Sequence, residues 1–79
     1  MAMRSLLHKS KLERFGKWLE SRGWTLQEPK GFYEVLRATA NGKHTLVVWR
    51  RLELIEHYTV SDKWAVLVRE FIKNEREDS

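Results

Sequence analysis

Two stretches of the chain place apolar residues at helical spacing, and the stretch between them carries the marks of strands. Leu12, Phe15, Trp18 and Leu19 form one stripe, with Lys11, Arg14, Lys17 and Glu20 mostly on the other surface. Ser10-Lys11-Leu12-Glu13 predicts a capping box at the start of this helix. Gly16 is tolerated inside it, and Gly23 predicts its end in the left-handed conformation, with Trp24 packed back on Leu19. Near the other end of the chain, Ser61-Asp62 reads as an N-cap and first-turn acid. Trp64, Leu67, Val68, Phe71 and Ile72 then make the apolar face of a second helix, while Lys63, Arg69, Glu70 and Lys73 face water.

Between the helices, Phe32–Thr39 and His44–Arg51 are rich in β-branched and aromatic residues and flank Asn41-Gly42. That dipeptide predicts a hairpin, because a type I′ turn needs positive φ at both central positions. A two-residue loop would pair Val35 with Val48 and Leu36 with Val47; a three-residue loop with a glycine bulge would pair Val35 with Val47 and Tyr33 with Trp49. Both strands carry apolar residues on both faces, so alternation does not choose between them. Trp24–Gly31 is a connection that starts extended, with Pro29 restricting Glu28 and Lys30-Gly31 forming a turn. Leu52–Glu56 is open to a helical turn, a bulge or a loop, and His57–Val60 reads as a short third strand.

The expected class is α+β in the order α-β-β-β-α: a three-stranded antiparallel sheet with two helices packed on one face. The domain spans residues 10–74, with an N-terminal tail at 1–9 and a C-terminal tail at 75–79. At 79 residues the chain has room for one modest core. It has no cysteine, which excludes disulfides and thiolate metal sites and agrees with a cytoplasmic location. Its apolar runs are too short for a secretory signal or a membrane span, so no membrane partner is expected. No glycine-rich phosphate loop is present, and no cofactor is called for.

Charge changes the picture modestly. Fifteen Lys and Arg against eleven Asp and Glu leave +4, which favours acidic partners such as nucleic acid, although the bases are spread along the chain. The histidines do not make a catalytic set. His8 falls in the tail, His44 beside the turn, and His57 next to Glu56, where adjacent strand residues point to opposite faces. No two share a metal-ligand spacing. The chain is therefore expected not to be an enzyme. The informative group is aromatic and basic: Tyr33, Lys43, His44, Trp49, Arg50 and Arg51, all on the hairpin. Aromatic rings stack on bases and cations hold phosphates. The competing reading puts Tyr33 and Trp49 in the core and uses the two arginines to protect a strand edge.

Gly23-Trp24, then five residues, then Lys30-Gly31 opening a strand, then a hairpin turning on Gly42 is an arrangement that resembles HicA-type toxins. These are small ribonucleases that cleave mRNA and have the double-stranded-RNA-binding-domain fold, whose α-β-β-β-α order this chain shares. The likeness covers residues 11–50 and implies that fold. In the toxins Lys-Gly is followed by Ser-His, the histidine being catalytic; here Phe32-Tyr33 stand in that place. The double-stranded-RNA domain also has a Lys-rich start to its last helix, where Ser61-Asp62-Lys63-Trp64-Ala65 keeps one lysine beside an acid. The resemblance thus carries no catalytic residue across. Two functions remain in view: a non-catalytic module binding RNA or DNA through the hairpin, and a phage- or plasmid-type inhibitor or adaptor docking on a larger host protein. A homodimer through the open sheet face is a variant of the second.

Overall fold

A computed structural model describes residues 5–77. Residues 1–4 of the expected N-terminal tail and 78–79 of the expected C-terminal tail lie outside the described residues. The elements are β1 (Ser5–His8), α1 (Leu12–Ser21), β2 (Thr25–Gln27), β3 (Glu34–Ala40), β4 (His44–Arg50), β5 (His57–Val60) and α2 (Ala65–Glu77), with 3-10 turns at Lys9–Lys11 and Asp62–Trp64. The chain is α+β, as the patterning predicts. The sheet, however, has five strands rather than three, in the order β1-β5-β4-β3-β2, and every pair is antiparallel.

The two extra strands lie at the edges. β1 belongs to a stretch expected to be tail; it pairs Ser5 with Val60 and Leu7 with Tyr58, and buries Leu7. β2 continues from the end of α1 and pairs Thr25 with Thr39 and Gln27 with Arg37. At the other end α2 runs on to Glu77, so residues 75–77 are helical too. The helix predicted to start on a Ser10 capping box starts differently. His8 caps the first 3-10 turn, its Nδ1 accepting from the Ser10 N–H at 3.2 Å, and no side chain caps α1 itself. Because β1 ends at His8, the cap moves to the residue where the extended chain turns. Ser61 does precede the second helical segment, but its hydroxyl makes no capping bond.

The end of α1 follows the prediction. Gly23 has φ +93°, its N–H donates to the Glu20 carbonyl at 3.1 Å, and the Trp24 N–H donates to Leu19 at 3.0 Å. This is the paired-bond helix ending that requires a left-handed residue. It aims the chain straight into β2.

The hairpin has neither of the anticipated registers. Asn41 and Gly42 both have positive φ (56° and 66°), as the turn requires. Yet Ala40 pairs with His44, Ala38 with Leu46 and Leu36 with Val48, which leaves Asn41-Gly42-Lys43 in the loop. The register shifts between Leu36 and Glu34, so that Glu34 pairs with Trp49 and Val35 is the extra residue of a bulge. The bulge accounts for the successive apolar residues Val35 and Leu36 of β3, whereas β4 carries apolar residues on both faces. The bulge lets Val35 and Leu36 both pack on the core and turns Glu34 to the opposite face, beside Arg37.

One core cluster results. Phe15, Trp18 and Leu19 from α1 and Val68 and Phe71 from α2 meet Leu7, Leu36, Ala38, Leu46, Val48 and Val60 from the sheet. These strand positions alternate with Arg37, Thr39, Thr45, Val47 and Trp49, so both helices cover the same face and the other is left open. Phe71 stands edge-on to Phe15 and Trp18, with ring centroids 5.2 and 5.8 Å away. Trp24 and Trp64 meet edge to face at 5.2 Å, and the Trp64 indole N–H donates to the Thr45 carbonyl at 3.0 Å. Trp18, Trp24 and Trp64 therefore have structural positions. Trp49 does not share them.

Candidate nucleic-acid interface

The end of β4 and the turn before β3 build the candidate site. The Glu34 N–H closes a turn on the Gly31 carbonyl at 3.2 Å, which lifts Phe32 and Tyr33 out of the sheet. The Arg50 N–H donates to the Tyr33 carbonyl at 2.6 Å and ties that turn to the last residue of β4. After Arg50 the chain leaves the sheet in a second turn, closed by the Leu54 N–H on the Arg51 carbonyl at 3.1 Å. Leu52–Glu56 is thus a loop. Between the two turns lies an open cleft of about 480 Å³, walled by Tyr33, Trp49, Arg50, Arg51, Leu52 and Glu53.

Four of the six residues singled out in the sequence therefore meet. Trp49 is 38% exposed and Tyr33 48%, so neither is a core residue. Phe32, 70% exposed, stands edge-on to Tyr33 at 5.2 Å. The Arg50 guanidinium lies over the Phe32 ring, 5.3 Å from its centre, in a cation–π arrangement. Arg51 is half-buried, and its Nε reaches Thr59 Oγ1 at 3.4 Å. Both cations are held by neighbours, which lowers the entropy lost when they engage a ligand.

Lys43 and His44 do not belong to this group. They sit at the other end of β4, roughly 17 Å from Trp49 at ~3.3 Å per residue. His44 packs edge-on to Trp64, ring centroids 5.8 Å apart, and so has a structural contact of its own. The hairpin pattern does not show Leu52 and Glu53, which lie in the loop after β4, or a second hollow on the far side of Arg50. That hollow is walled by Lys9, Arg50, Arg51, Leu52, Leu54, Ile55 and Tyr58. Lys9 arrives there because its N–H donates to the Glu56 carbonyl at 2.9 Å, continuing the pairing of β1 with β5. No local signal in the sequence announces that contact.

On the open face directly across from Trp49, Glu34 forms a two-pronged ion pair with Arg37. Arg37 Nη2 donates to Oε1 at 2.6 Å and Nε to Oε2 at 3.0 Å, while the Lys30 N–H donates to Oε2 at 2.8 Å. The bonds from Arg37, then that from Lys30, hold the Glu34 carboxyl below the usual glutamate range, and the same pair raises Arg37. A carboxyl lowered by folding stabilises the fold above its unfolded value, and that contribution is lost as pH falls through its folded value. The stability gap between the native chain and Glu34→Gln is therefore expected to be widest at neutral pH and to close on acidification below the ordinary glutamate range. Urea midpoints measured across pH test this; a gap that stays constant would refute it.

The histidines are arranged differently from the Glu56-His57 pair visible in the sequence. Glu56 reaches His8, 3.9 Å from Nε2, and His8 stands edge-on to His57 with centroids 5.1 Å apart. Among the described residues no group of three or more His, Asp or Glu side chains is placed to hold a metal ion. Among the same residues no helix is long and apolar enough to cross a membrane.

Comparison with protein-family models, with curated proteins and with solved structures finds no match for the chain.

Proposed function

We propose that this chain is a non-catalytic nucleic-acid-binding module, holding RNA or DNA in the cleft of Tyr33, Trp49, Arg50 and Arg51. The observation that carries the reading is the shared cleft itself: Tyr33 and Trp49, both accessible, line it together with Arg50 and Arg51, on a chain with net charge +4. Rings of this kind stack on bases, and guanidinium groups bind phosphates in paired hydrogen bonds. Lys43 and His44 act, on this reading, only through the general field of the molecule. The module works in the cytoplasm. Its fold is akin to the double-stranded-RNA-binding domain and the HicA-type toxins: α1, β3, β4, β5 and α2 keep their α-β-β-β-α order, with edge strands added on both sides.

A second reading has an observation of its own. Leu52 and Ile55 are 71% and 84% exposed beside the cleft, and base stacking has no use for them. Apolar side chains so placed suit a protein partner, such as the larger host protein on which a phage- or plasmid-type inhibitor docks, or a second copy of the chain. One preparation separates the readings. Nucleic-acid binding predicts a 260/280 nm absorbance ratio that is high on purification and falls after a high-salt wash, with oligonucleotide affinity dropping steeply as salt rises. Clean protein with no oligonucleotide affinity, which captures one defined protein from nuclease-treated lysate, would replace the first reading with the second. Sedimentation reports the homodimer.

A further inference from the structure

The cleft does not stand alone, and its neighbour specifies the kind of nucleic acid. Arg50, Arg51 and Leu52 wall both the Tyr33–Trp49 cleft and the hollow that holds Lys9 and Tyr58. The two concavities are therefore joined across the arginine pair. Cations lie on the ridge and at one far end, where Lys9 stands with Tyr58, Leu54 and Ile55, and Tyr33 and Trp49 lie at the other end. Glu53 lines the cleft as well, and its carboxylate repels a phosphate there. A base carries no such charge, and its exocyclic amino groups donate to carboxylates. The cleft thus suits a base, and the cations of the ridge and of the hollow, Arg50, Arg51 and Lys9, suit the backbone that follows it. A duplex cannot use this layout, because its bases are stacked on one another and it presents phosphates and groove edges instead.

Resting on the nucleic-acid reading of the cleft, we infer that the ligand is a single strand: one unstacked base sits against Tyr33 and Trp49, its backbone crosses Arg50 and Arg51, and a following phosphate meets Lys9. Lys9 is then a binding residue, supplied by the β1–β5 pairing rather than by the hairpin. Its side chain is exposed and the contact that places it is made by the backbone, so replacing the side chain leaves the strand pairing intact.

The test is a fluorescence-anisotropy titration with a labelled mixed-sequence oligonucleotide, as a single strand and as its perfect duplex, in DNA and RNA forms, over a range of salt. Base–aromatic stacking available only to the single strand predicts binding about ten- to a hundred-fold tighter than to the duplex. Lys9→Ala is expected to reduce the slope of log affinity against log salt by about 0.7, the share of one phosphate on a single strand, and Lys9→Arg to restore it. Equal or tighter binding of the duplex overturns the single-strand inference while the cleft keeps its nucleic-acid reading. An unchanged slope in Lys9→Ala removes Lys9 from the track. Binding of neither form by the native chain overturns the reading of the cleft, and this inference with it.

Discussion

Phe71→Ala is expected to remove a large share of the chain's folding stability. A domain of 79 residues has a total stability on the order of 4–12 kcal/mol. Phe71 is buried where α2 meets α1, edge-on to both Phe15 and Trp18. Truncating a buried phenylalanine costs about 3–5 kcal/mol through lost transfer energy and the cavity left behind. The loss of two edge-to-face ring contacts places this site toward the upper end of that range. The cost is a large fraction of the total because α1, α2 and the sheet share one core cluster. Urea unfolding followed by far-ultraviolet circular dichroism measures the effect. Ile55→Ala, which removes a side chain 84% exposed, is the control and is expected to shift stability by no more than about 0.5 kcal/mol. A Phe71→Ala protein as stable as that control would mean that α2 does not pack where it has been placed.

The same core shows which parts of the fold were legible. Both helix stripes could be read from the chain because a 3.6-residue period is a local signal, and the residues predicted to face inward, Phe15, Trp18, Leu19, Val68 and Phe71, do so. The edge strands could not be read in that way. Ser5–His8 is four residues long and is held by a partner 49 to 55 positions away; Thr25–Gln27 is three residues long and exposed along its length, Leu26 to 37%. Strands that short carry too few alternating positions to show a period. The hairpin illustrates the reverse error. Its turn was plain from Asn41-Gly42, but the pairing absorbs a bulge at Val35, and a bulge makes two successive side chains share a face. The capping box at Ser10 does not form because Ser10 lies inside the 3-10 turn Lys9–Lys11, which His8 caps.

The candidate site divides along the same line. Tyr33, Trp49, Arg50 and Arg51 were found because the ends of two paired strands must be neighbours. Lys43 and His44 were grouped with them by sequence proximity alone, and a seven-residue strand is long enough to defeat that. Lys9 was invisible because its place depends on β1. The Glu34–Arg37 pair, whose charges neutralise each other, adjoins Trp49 across the sheet. Net charge taken over the whole chain does not distinguish this pair from the cations of the cleft.

Two changes within the cleft are expected to weaken binding in different ways, and the difference is what tests its assignment. Replacing Arg50 and Arg51 together by alanine removes two cations from a surface where both are held in position, by Phe32 and by Thr59. If each neutralises one phosphate of a single strand, the slope of log affinity against log salt falls by about 1.4. The loss is then greatest at low salt and shrinks as salt rises. Trp49→Ala removes a stacking surface and no charge. It is expected to cost about 1–3 kcal/mol of affinity, roughly five- to 150-fold, at every salt concentration, with the slope unchanged. Because Trp49 is partly exposed and outside the core cluster, the variant remains folded, and its melting curve checks this independently. A ligand held by general positive charge would respond to the arginine pair and ignore Trp49. A protein partner anchored on Leu52 and Ile55 would show no salt slope of this size and would respond most to those two side chains. Only a strand whose base enters the cleft requires both signatures at once, one in the slope and one in the intercept.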